Sequence, residues 1–154
     1  MNEVLHLIDA SAVAAAVRDS EGLTAVLSAL HALGYTIVMG GAILSGLRVT
    51  GAAFRESPAA EIVVPASRAI AGGLLLSAVT GVLLFAPRAV TAGHNPRFQL
   101  KMALVVAAAM FQFVMVRRAG HAGKAPEPSR LRGAIALGLW AWLAVTACAF
   151  ILLE

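Results

Sequence analysis

Residues 23–47, LTAVLSALHALGYTIVMGGAILSGL, run for 25 positions without an Asp, Glu, Lys or Arg. As a helix rising ~1.5 Å per residue, this stretch reaches ~37 Å, enough to cross a hydrocarbon core of ~30 Å. Water offers no reason for such a run, so the sequence predicts a membrane span and, around it, a membrane protein. The rest of the composition agrees. The chain is 60% hydrophobic and 13% charged, with mean hydropathy +0.85, against roughly 25% charged residues in soluble domains. Its 154 residues suffice for one compact domain. The single cysteine, Cys148, excludes an internal disulfide and a cysteine-rich metal site.

Three further spans are expected, at about 69–90, 98–116 and 133–153, giving an all-α antiparallel four-helix transmembrane domain over 23–154. The second lies between Arg68 and Arg88, after a polar connection punctuated by Gly51, Pro58 and Pro65. Asn95 is a natural N-cap and Pro96 a natural first residue for the third. Only residues 102–116 of that span are free of charge, so Lys101 must carry its ammonium outward along its own stem. Before the first span, residues 1–20 read as one amphipathic helix lying on the membrane. On a 100° wheel, Val4, Leu5, Leu7, Ile8, Ala12 and Ala15 share an arc opposite Glu3, His6 and Asp9. Its acidic start does not fit a signal peptide, and the segment is expected to remain.

Lys and Arg set the expected sidedness. The connections after the first and third spans hold Arg48, Arg55, Arg68, Arg117, Arg118, Lys124, Arg130 and Arg132, whereas the opposite side holds Arg18, Arg88, Arg97 and Lys101. Eight against four places the first side in the cytoplasm and both termini outside, which in a bacterial inner membrane is the periplasm. The formal charge of +4 and pI near 10.2 therefore reflect topology, and no nucleic-acid partner is expected.

Small residues forecast where helices meet. Gly73, Ser77 and Gly81 recur at four-residue intervals, and Ala42 and Gly46 offer a similar face on the first span. Trp140 and Trp142 sit mid-span, away from the usual interfacial belt. Being two residues apart they face different ways, and they are candidates for contact with lipid or a partner. Arg88, Arg97 and Lys101 form an outer basic group suited to lipid headgroups, an acidic partner or a quinone oxygen.

Chemistry falls mainly to histidine. The sequence has no phosphate loop, zinc-protease helix, nucleophile elbow or acidic pair. His31 lies two turns into the first span, where lipid cannot hydrate it, with Gly34 and Tyr35 one turn on. Three readings stay open for it. It could ligate a b-type haem whose porphyrin lies against the glycines, contact a quinone, proton or metal, or hydrogen-bond across the bundle. On the outer face His6 and His94, with Glu3, Met1 and Met102, are a weaker metal candidate, set against solvated surface side chains.

The runs His31-Ala32-Leu33-Gly34, Leu47-Arg48 with Gly51, Thr80 through Phe85, and Asn95-Pro96-Arg97-Phe98 with Lys101 resemble a family of small bacterial inner-membrane proteins with four predicted spans, a domain of unknown function. The resemblance covers residues 10–118 and implies the four-helix architecture without an activity. This chain has Gly46 where the family pattern has an acidic residue, and residues 111–116 lack the family's Asn and His. These departures favour a binding or scaffolding role over catalysis. The sequence thus leads to an accessory subunit of a larger envelope complex or a homo-oligomer, with an electron carrier using His31 as the alternative.

Overall fold

The computed structural model describes residues 2–121 and 130–152, and the side chains of 2–117 and 130–145. Every element is helical: α1 (Asn2–Asp9), α2 (Ala12–Asp19), α3 (Glu21–Thr50), α4 (Ala59–Phe85), a 3-10 turn (Ala86–Arg88), α5 (Ala89–Gly93), α6 (Pro96–His121) and α7 (Arg130–Leu152). Among the described residues, three helical stretches are long and apolar enough to cross a membrane: Glu21–Thr50, Ala59–Gly93 and Pro96–Arg117.

Residues 1–20 do not form the single helix their periodicity predicts. The chain breaks at Ala10, and Ser11 starts α2 by accepting the Ala14 N–H on its Oγ at 3.2 Å. A serine in the middle of an apolar stripe competes for backbone N–H groups, and here its capping wins over continuity. Arg18 then pairs with Asp9 at 3.0 Å and donates to Pro87 O at 3.1 Å, holding the α1–α2 pair against the end of α4. Ser20 caps α3 in the same manner, through the Leu23 N–H.

α3 ends at Thr50, three residues beyond the uncharged run, and is capped by Gly51, whose φ of 72° is the left-handed conformation that glycine adopts without strain. α4 departs further from expectation. It starts at Ala59, ten residues before the anticipated boundary, and runs through Pro65. Proline there deprives one carbonyl, that of Glu61, of its usual donor, a cost confined to the second turn. Glu61 and Arg68 are exposed, so neither charge ends the helix. Asn95 caps α6, its Oδ1 accepting the Arg97 N–H at 2.9 Å, and Pro96 is the first helical residue, as the sequence predicts.

α3 packs along α4 on one side and α7 on the other, and α6 packs against the same two helices. Val38 and Ala42 of α3, Ile70 of α4, Ala108 of α6, and Trp140 and Leu143 of α7 form one buried core. The outward faces are apolar as well: Leu75, Val82, Phe113 and Trp142 are more than half exposed. In water each such side chain would forgo about 1.5–3 kcal/mol of burial, a pattern that suits a lipid surround. The Lys124–Pro128 part of the basic connection, Met1, Leu153 and the side chain of Cys148 lie outside the described residues.

Candidate functional site

His31 sits where α3 crosses the C-terminal half of α4. Its Nδ1 donates to Ser77 O at 2.9 Å and lies 3.2 Å from Thr80 Oγ1. The Thr80 hydroxyl donates in turn to Leu76 O at 2.7 Å, so its oxygen is left to accept a share of the imidazole N–H. In return Ser77 Oγ donates to His31 O at 3.2 Å. The two helices thus hold each other through a reciprocal clasp, and the clasp fixes the tautomer: a ring facing a backbone carbonyl must carry its proton on Nδ1. Thr80 is almost wholly buried. Position alone could have flagged it, since it falls one turn beyond Ser77 on the face that carries Gly73 and Gly81.

The predicted small-residue face of α4 packs on α3. A Cβ on Gly73 would lie 2.6 Å from Gly34 O, and one on Gly34 would lie 2.8 Å from Gly73 O and 2.6 Å from Ser77 Oγ. The backbones touch, and Gly34 is closed by α4. It is therefore not the open glycine against which a porphyrin was expected to lie. Gly81 lies under the His31 ring, its missing Cβ 3.0 Å from Cε1. Ala42 joins the core, and Gly46 receives Leu137 of α7. Tyr35 packs against the core as a partly buried residue.

No family model, curated protein or solved structure matches this chain.

A second polar junction escaped the sequence reading. Gln112 of α6 is 4% exposed, and its Nε2 donates to Ser67 Oγ of α4 at 2.7 Å and to Ser45 Oγ of α3 at 3.4 Å. Ser67 Oγ donates its own hydrogen bond to Val63 O. Gln112 Oε1 is buried without a partner. One turn beyond Ser45, the almost fully buried Arg48 donates through Nε to Ser57 O at 2.9 Å. The signal was available, because Gln112 is a rare uncharged polar side chain in that span, yet nothing in one sequence pairs it with two serines on other helices.

His6 and His94 stay apart from the clasp. His94 Nδ1 donates to Val90 O at 2.8 Å, and its Nε2 lies 3.2 Å from Asn2 Oδ1. His6 lines a shallow depression on α1 with Glu3, Leu7 and Ala10. Among the described residues, no three His, Cys, Asp or Glu side chains gather into a group able to hold a metal ion. Arg88 and Arg97 are exposed and Lys101 is half-buried, all near the α4–α6 turn, where Phe85 and Phe98 stack at 5.2 Å. Of the two tryptophans, Trp142 is 57% exposed, whereas Trp140 at 1% is a core residue. Trp140 is thus removed from the candidates for lipid or partner contact: its face of α7 is the one that α3 and α6 cover.

Proposed function

We propose that the chain is a small, multi-pass inner-membrane protein acting as a non-catalytic accessory or scaffolding subunit of a larger cell-envelope complex. In this reading α3, α4, α6 and α7 form a four-helix transmembrane bundle, α7 being the fourth span by its 23 residues and apolar sequence. α1 and α2 lie at the periplasmic surface with both termini. The observation that carries the reading is the use made of the polar side chains inside the helices. The His31 clasp joins α3 to α4, and the Gln112 junction joins α6 to α3 and α4. These groups work as helix-to-helix fasteners, while exposed apolar residues such as Trp142 and Phe113 offer surface to lipid or another subunit.

The test is purification from its native membrane in mild detergent, followed by a reduced-minus-oxidised absorption spectrum. A colourless protein that co-purifies in fixed ratio with larger membrane chains supports the subunit reading. Soret and alpha bands that vanish in His31→Ala replace it with the second reading, a b-type haem or quinone-linked electron carrier. One observation favours that alternative: the clasp engages only Nδ1, so Nε2 keeps its lone pair.

A further inference from the structure

Arg48 is a cation that the fold buries without a counter-charge. It is 3% exposed, its Nε donates to Ser57 O at 2.9 Å, and among the described residues no carboxylate pairs with it. Arginine keeps its charge at any working pH, so burial cannot relieve the cost by neutralising it. A counter-ion can. With Nε committed to Ser57 O, the two Nη groups remain as an end-on fork, and they are neither bonded to a described residue nor among the sealed polar atoms. The little surface that Arg48 keeps is therefore at that fork, whose paired N–H groups match two oxygens of one phosphate.

Arg55 is built into the same loop. Its Nε donates to Gly51 O, while the Gly51 N–H donates to Arg48 O at 3.2 Å. The Ser57 N–H donates to Phe54 O at 3.3 Å, so Arg55 lies on the turn whose last residue holds the Arg48 side chain. Glu56, on that turn, is exposed and pairs with neither arginine. Phe54 is 45% exposed at a φ of 58°, a conformation in which bulky residues are rare. Arg48 is also the first residue past the uncharged run of α3, so with α3 across a bilayer this loop lies at the depth of the head groups. The anion met there is a lipid phosphate, and Phe54 is the apolar neighbour its acyl chains would meet.

We propose that Arg48 and Arg55 form a binding site for the phosphate group of an anionic phospholipid, the Nη fork of Arg48 taking two of its oxygens and Arg55 balancing the remaining charge. The site rests on the membrane reading alone, so its failure leaves the subunit and carrier readings as they stand.

The test uses the full chain with 15N-labelled arginine in dodecyl maltoside, titrated separately with dioctanoyl phosphatidylglycerol, dioctanoylglycerol and inorganic phosphate, and reads the Arg48 Nε–H resonance. Phosphatidylglycerol should move it saturably, dioctanoylglycerol should not, and inorganic phosphate should need a far higher concentration. Arg55→Gln should weaken the phosphatidylglycerol response about fivefold. Arg68→Gln, which removes an exposed arginine of α4 outside this loop, should leave it unchanged. A resonance that phosphatidylglycerol leaves unmoved, or that dioctanoylglycerol moves equally, overturns the site. Equal potency of inorganic phosphate overturns the lipid as its source. Equal losses in Arg55→Gln and Arg68→Gln overturn it too, because diffuse surface charge would then suffice. No arm needs an Arg48 variant to fold.

Discussion

Two glycines six positions apart can have opposite roles, and Gly34 and Gly40 of α3 show it. Gly34 meets the backbone of α4, whereas a Cβ on Gly40 would meet nothing within 4 Å. Gly34→Ala must push the helices apart and is expected to cost about 1–3 kcal/mol. Gly40→Ala removes a flexible residue from an exposed helix position and should gain about 0.5–1 kcal/mol. Thermal melts of both variants in the same detergent check the pair: the midpoint falls for the first and holds or rises for the second. The clasp gives a second prediction at this scale. Ser77→Ala loses the hydroxyl's bond to His31 O and should cost about 0.5–1.5 kcal/mol. His31→Ala, which removes the separate bond from Nδ1–H to Ser77 O, should cost more, and the double variant should depart from the sum, since the two bonds brace the same helix crossing.

At the level of helices, the α1–α2 pair is the part most easily released. Arg18 ties α2 to α1 through an exposed ion pair with Asp9 worth about 0–1 kcal/mol, and ties the pair to the end of α4 through a bond to Pro87 O. Arg18→Ala should therefore raise hydrogen exchange across α1 and α2 while leaving α3 and α4 protected. Loss of protection throughout α3 would show that the pair supports the whole fold. Here too lies the limit of what the sequence discloses. Spans such as α3 were legible because uncharged length is a one-dimensional property, and the Asn95-Pro96 start of α6 because capping is local. The early start of α4 was not, because a charge such as Arg68 reads as a boundary until its exposure is known. The break at Ser11 was hidden by a stripe that continues across it. His31 stood out by depth alone, but its partners Ser77 and Thr80 lie 46 and 49 positions away and become neighbours only when α3 and α4 pack.

For the molecule as a whole, the decisive expectation is its relation to the bilayer. The protein should stay with membranes through an alkaline carbonate wash. In a Cys148→Ser background, a cysteine at Arg55 should react with an impermeant maleimide only after the cytoplasmic face is opened, and one at Glu3 should react in intact spheroplasts. The reverse pattern would invert the proposed sidedness. Finally, α4 supplies the partners at both polar contacts, Ser67 for Gln112 and Ser77 for His31, ten residues and so about 15 Å apart along its axis. A rod pinned at one point can still roll and swing. Pinned at two, α4 becomes the keel of the assembly, and any motion of the bundle must carry it as a rigid piece or shear one pin loose.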